Sequence, residues 1–289
     1  MVPNPKQSNP LASFMRQPKI FIRLPSQGQF WAPGSLDVTD NGEYPVYSMT
    51  AKDELMLKVP DALMNGQAVV SVLEHCIPNI KNAWAAPNLD IDVLLIAIRI
   101  ATYGQTMDLE FTVPNTKLER AYEVDLTNLL DQISANSYDS ICVHNEFQFE
   151  IAPGNYKAFT DNALKTFEEQ RLFRTIENED LSEIDKLARF NESFNRLTEI
   201  NIGTIFNNVK SITIDGETVV NPVHIKEFLD NADTGVYKAI LKHVDEQRKK
   251  FQIKPFEIRS SDEERAAGAP ETFLIPFTFD QANFFASGS

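Results

Sequence analysis

The sequence has few of the residues that build chemistry. It contains 2 cysteines, Cys76 and Cys142, and 4 histidines among 289 residues. So few thiols exclude a disulfide framework and fit a reducing compartment. Glu74, His75 and Cys76 are three metal-capable types in a row, but adjacent helical positions point about 100° apart and cannot converge on one ion. His144, His224 and His243 stand alone, without His-x-x-x-His or Cys-x-x-Cys spacing, and read as structural or surface residues. With 11 glycines, the chain has neither a Walker loop nor Gly-x-Gly-x-x-Gly, and no Gly-x-Ser-x-Gly occurs. Long apolar runs are also missing. Val93 to Ile98 is the longest; Arg99 ends it, far below membrane-spanning length. Met1 to Met15 is polar and contains proline, without the pattern of a signal peptide, so the expectation is a soluble cytoplasmic protein with no membrane partner.

What is present is acid and apolar bulk. The 27 basic residues face 41 acidic ones, a formal charge of -14 that opposes a nucleic-acid partner. Arg248-Lys249-Lys250 is the densest basic cluster, and it sits where a helix should end and its dipole favours cations. A hydrophobic content of 43% is enough to bury a sizeable core.

Turn and cap residues divide the chain. Residues 1–16 read as an extended arm, and Lys19 to Leu24 as a short strand. Asp40-Asn-Gly42 predicts a hairpin of 35–38 with 43–47, with Pro45 on an edge strand. Thr50 and Asp53 mark a helix start; Pro60 and Gly66 bracket a further short helix, and Gln67 to Cys76 is helical by composition. Leu55, Leu57, Leu63 and Met64 are expected to pack on a central helix spanning Asn88 to Gly104, capped by Asn88 or Asp90 and apolar on nearly every face. Asp90 and Asp92 at its start read as capping and dipole groups rather than a catalytic pair.

Beyond it, 106–113 with 119–126, 140–144 with 147–152, and 209–220 about Asp215-Gly216 read as hairpins. Residues 156–178 and 181–205 form a helical pair with Asp180 and Glu183 at the second start. In that second helix Ile184, Leu187, Phe190, Phe194 and Leu197 make one stripe, which serves either packing within the chain or a coiled-coil contact with another. Residues 222–230 and 234–250 are helical, and the end differs again: 253–259, a polar loop, then the aromatic-rich stretch from Thr272 to Phe285.

Arg99 is the exception inside the apolar helix. A buried guanidinium needs an acidic or carbonyl partner, since breaking a buried pair costs about 3–5 kcal/mol. Asp53 and Glu54 are the candidate carboxylates. Phe277, Phe279, Phe284 and Phe285 have two readings: they close the core of the second domain, or Phe284 and Phe285 anchor in a partner's pocket.

Several linked segments carry a resemblance. Asn9 to Gly28, Tyr47-Ser-Met-Thr-Ala-Lys-Asp-Glu-Leu55, Pro60 to Gly66, Cys76-Ile-Pro-Asn-Ile80, Asp90-Ile-Asp92, Ile96 to Ala101 and Phe279 to Phe285 occur in order. Together they resemble the baseplate hub assembly proteins, or baseplate hub subunits, of T-even-type contractile-tailed phages. The resemblance implies a non-enzymatic role in building the tail's central hub, as a hub subunit or as a hub and tape-measure assembly chaperone. The implied partners are other hub and tail proteins, and the implied location is host cytoplasm during assembly or the virion tail baseplate. No catalytic residue, metal or cofactor carries over. Relatives carry a Cys-Pro-x-Cys knuckle where this chain has Val113-Pro-Asn-Thr116, and a second cysteine pair in the C-terminal region. This chain lacks those thiols, so its hairpins are expected to hold by apolar packing without zinc. A nucleic-acid-binding module derived from such a zinc ribbon is the alternative, and the acidic charge opposes it.

The expected fold is α+β: a mainly helical domain over 17–104 with an N-terminal hairpin layer, then a mixed region over 105–289. The latter sets β-hairpins, zinc-ribbon-like but degenerate, around the helical pair 156–205.

Overall fold

The computed structural model describes residues 15–59, 65–178, 182–277 and 284–285. Short antiparallel sheets alternate with helices in an α+β arrangement. Strands β1 (Pro18–Ile22) and β2 (Tyr44–Tyr47) pair with each other, Phe21 opposite Pro45. This corrects the expected hairpin of 35–38 with 43–47. Leu36 bridges to Ile80 instead, while Gly42 at φ +70° turns the chain into β2. The turn was legible; the strand that β2 pairs with lies more than twenty residues away and was not.

Helix α1 (Ala51–Leu57) begins at Thr50, whose backbone N–H donates to the Asp53 carboxylate at 2.7 Å. Leu57 is buried, but Leu55 is 65% exposed and does not pack on the central helix as expected. The short helix expected from Pro60, with Leu63 and Met64, lies outside the described residues, as does most of the N-terminal arm. Helix α2 (Gln67–Cys76) starts from Gly66 at φ +77°, where a Cβ would approach Thr160 to 3.1 Å.

A single 3-10 turn at Ala83–Ala85, capped by Asn82, leads into α3 (Asn88–Tyr103). Of its 16 residues 12 are buried, as an all-round apolar helix requires. Gly104 at φ +104° ends it. The N-cap position is Pro87 rather than Asn88 or Asp90, because Asp90 turns its oxygens to another partner. The hairpin of β3 (Thr106–Thr112) and β4 (Glu119–Asp125) follows as expected. Helix α4 (Leu126–Ser134) is an addition: Asp125 accepts from the Thr127 and Asn128 N–H groups, and Leu126, Leu129, Leu130 and Ile133 bury one stripe.

The strands β5 (Ile141–His144) and β6 (Phe147–Ile151) precede the helical pair α5 (Tyr156–Asn178) and α6 (Glu183–Phe206). The start of α6 is Ser182, whose hydroxyl accepts from the Asp185 N–H; Asp180 lies outside the described residues. The strands β7 (Val209–Ile214) and β8 (Glu217–Val219) turn through Asp215 and Gly216, both at positive φ, and complete a sheet of order β5-β6-β7-β8. The helical pair is therefore an excursion between two neighbouring strands. Helices α7 (Pro222–Asn231) and α8 (Thr234–Phe251) supply the apolar residues that cover this sheet, with Ile225, Leu229, Val236 and Ile240 in one cluster with Phe149. Arg248, Lys249 and Lys250 occupy the last turn of α8, as the dipole favours. The chain closes with β9 (Phe256–Arg259), the short α9 (Asp262–Ala266) and β10 (Thr272–Ile275), which pairs with β9.

Three apolar clusters result among the described residues. The largest surrounds α3; the second joins the four-stranded sheet to α7 and α8; the third holds Val113 against Ile258, Phe273 and Ile275.

Candidate functional site

The central helix offers its one basic side chain to the C-terminal segment. Arg99 is 2% exposed, and its Nη1 donates to the Phe284 carbonyl at 2.5 Å. The guanidinium lies over the rings of Tyr103 and Phe284, 5.3 and 5.2 Å from their centroids. The Tyr103 hydroxyl donates to the Phe285 carbonyl at 3.2 Å. Burial lowers the Arg99 pKa from its ordinary value, but a carbonyl and two aromatic faces replace water around the cation. The sequence required an acidic or carbonyl partner. The observed partner is a carbonyl 185 residues away, while Asp53 and Glu54 are engaged elsewhere.

Phe284 and Phe285 are buried in the large cluster around α3, not on a surface and not in the core of the second half. Their rings meet edge to face at 5.0 Å, and Phe277 packs on Phe284 at 6.2 Å. Phe256 continues the series to Tyr122 on β4. The aromatic residues thus stitch the terminal hairpins to the central helix, which departs from the expected partner anchor. Phe279 lies outside the described residues.

Asp53 joins α1 to α2. Its oxygens lie 2.7 and 2.9 Å from His75 Nδ1, and one also accepts from the Thr50 hydroxyl. Burial alone would raise the Asp53 pKa; the hydrogen bonds from the Thr50 backbone, His75 and the Thr50 hydroxyl outweigh it and hold the carboxyl below its usual value. Glu54 sits beside Tyr103, where it adds to the burial that raises the phenol's pKa. Arg16, at the end of the N-terminal arm, donates to the Ser48 and His75 carbonyls, each at 2.6 Å. The sequence singled out His75 only as one of three adjacent metal-capable residues that cannot converge on one ion. Its pairing with Asp53 crosses two helices and has no local signal.

Asp90 is fully buried and accepts from the Ser26 N–H, the Ser26 hydroxyl and Trp31 Nε1 at 2.8, 2.5 and 2.9 Å. It pins the 24–31 loop to the start of α3. Burial pushes its pKa up to about 6 against those bonds, and burial alone does the same for Asp92. Burial also pushes the Cys76 thiol up to about 12 and raises Cys142, so neither is a ready nucleophile. Among the described residues no group of three or more His, Cys, Asp or Glu side chains could hold a metal.

The Val113-Pro-Asn-Thr116 knuckle is a packed turn. Val113 is fully buried, Asn115 takes φ +62°, and the Thr116 hydroxyl donates to the Val113 carbonyl. Arg120 bridges this hairpin to Glu264 at 3.1 Å. The hairpin's outer face carries Asp108, Glu110, Glu119, Glu123 and Asp125, with Asp108 directly opposite Glu123. Such a face repels a polyanion.

No helix among the described residues is long and apolar enough to cross a membrane. Taken together, Arg99, Asp53 and Asp90 fasten segments of the chain to one another. Comparison with family models gives a match over residues 18–260 to the family described as T4 bacteriophage base plate protein. No curated protein and no solved structure matches the chain.

Proposed function

Because the chain belongs to the T4 bacteriophage base plate protein family, we propose that it acts without catalysis in assembling the central hub of the phage baseplate. It serves there as a hub subunit or as a chaperone for the hub and tape-measure complex, working in the host cytoplasm and, as a subunit, remaining in the tail. The observation that carries the non-catalytic part is the use made of the unusual buried groups. Arg99, Asp53 and Asp90 are each committed to holding segments together, and the thiol of Cys76 is buried and protonated. The hub assignment rests on the ordered motifs from Tyr47 to Ile80 and on the central helix. The nucleic-acid alternative is opposed by the acidic face of the β3–β4 hairpin, where a DNA-binding ribbon needs cations.

Mass spectrometry of purified particles, combined with cross-linking, tests the reading. A subunit appears in stoichiometric, symmetry-related copies cross-linked to central hub proteins; a chaperone is absent from particles but captured with hub proteins before tail completion. Cross-links only to peripheral baseplate proteins would overturn the hub assignment.

A further inference from the structure

Polar contacts run between the two helices of the pair, while part of its apolar bulk faces outward. Between α5 and α6, Arg196 Nε donates to Glu169 at 2.7 Å, the Ser193 hydroxyl donates to the same carboxylate, and Asn162 donates to Thr204 at 2.7 Å. The outward side chains are the opposite in character. Ile184, Leu187 and Phe194 on α6 are 81, 61 and 64% exposed, and Phe159 and Phe167 on α5 are 59 and 50% exposed. Among the described residues the pair meets the rest of the protein at its base, where Tyr156 stacks on Trp84 and Phe206 meets Tyr237. Phe190 and Leu197 of the same stripe are half-buried, but Ile184, Leu187 and Phe194 are left uncovered by the pair.

We propose that this outward face docks on the same face of a second copy of the chain. Three observations select that occupant. The first is spacing: Ile184, Leu187, Asn191 and Phe194 follow the 3-4-3 pattern of a coiled-coil seam. Asn191 falls at an interior position, where an asparagine paired with its own copy fixes register. The second is charge. The two helices carry 7 basic and 8 acidic residues, whereas the remainder carries 20 and 33. Two acidic copies repel each other over most of their surfaces and meet without repulsion here. A basic partner would instead be drawn to the acidic remainder. The third is size. A helix of 24 residues is about 36 Å long, and two side by side present roughly 700 Å². That approaches the ~800 Å² per partner of a stable interface.

Sedimentation velocity of the full chain between about 1 and about 100 µM tests this. The expected result is a species of twice 32.7 kDa for the unaltered protein. The double variant Leu187→Glu, Phe194→Glu should stay monomeric and keep its far-UV circular dichroism spectrum. Should that variant fold poorly, Leu187→Gln with Phe194→Asn takes its place. Val143→Glu, an exposed apolar site on β5, should leave the dimer intact. A monomer at the highest concentration overturns the proposal, as does a dimer that survives both double variants. If the chain is monomeric alone and the variant loses capture of a co-expressed baseplate protein, the face belongs to a different partner and the second-copy assignment fails.

Discussion

Replacing Phe284 with alanine tests whether the C-terminal segment is part of the core. The ring is 2% exposed, touches Phe277 and Phe285, and covers the Arg99 guanidinium. Truncating a buried phenylalanine costs about 3–5 kcal/mol through lost transfer energy and the cavity left behind. Loss of a desolvated cation–π contact adds about 0.5–2 kcal/mol. The backbone carbonyl that Arg99 uses remains in the variant, so the charge keeps one partner. The expected loss is therefore about 4–6 kcal/mol, a large part of the roughly 5–15 kcal/mol that stabilises an ordinary domain. For a chain of this size that is a fall in Tm of about 10 °C or more. Urea unfolding followed by circular dichroism measures it, with Phe21→Ala as a control of the same chemistry at an exposed site, expected within about 0.5 kcal/mol. A Phe284→Ala loss below about 1 kcal/mol would refute the placement and return the segment to the role of a detachable anchor.

Asp92→Asn should stabilise the protein at pH 8. The folded-state pKa of about 6 lies above the ordinary 3.8, so ionised Asp92 opposes folding at high pH, by at most about 3 kcal/mol. Stability linked to this group is fully present below the ordinary value and lost as pH rises through 6, so the variant's advantage should vanish near pH 4 in parallel melts. Asp53→Ala removes a helix-start bond and the His75 partner, for about 1–2 kcal/mol. Since the Asp53 pKa is lowered, its contribution is present above the ordinary carboxylate range and lost as pH falls through the folded value; a variant deficit that persists at pH 2 would contradict the assignment. Val113→Ala should cost about 2 kcal/mol by unpacking the third cluster, and elemental analysis should find no stoichiometric zinc in the purified protein.

Local chemistry made much of this fold legible. Gln67 to Cys76 and Thr234 to Phe251 form helices where composition and caps placed them, and Asp215-Gly216 turns its hairpin as positive-φ residues should. What escaped was long-range or unlooked for. Nothing near Tyr44 to Tyr47 reveals that β1, rather than 35–38, is the pairing strand. Leu126 to Ser134 did carry a signal, an aspartate cap followed by leucines on one face, hidden beneath the hairpin reading of the preceding strand. Leu55 shows the limit of composition: apolar type does not specify which side of a seven-residue helix turns inward. For the candidate site, the sequence required a partner for Arg99, but the carbonyl that provides it comes from a segment 185 residues on.

That separation sets an order of events in synthesis. At about 5–20 residues per second, the segment bearing Phe284 follows Arg99 by roughly 10–40 s. Through that interval the nascent first half carries an apolar helix whose arginine lacks its cover. A product cut short upstream of Phe284 therefore leaves Arg99 on α3 without that carbonyl and that ring, although the helix itself is already made.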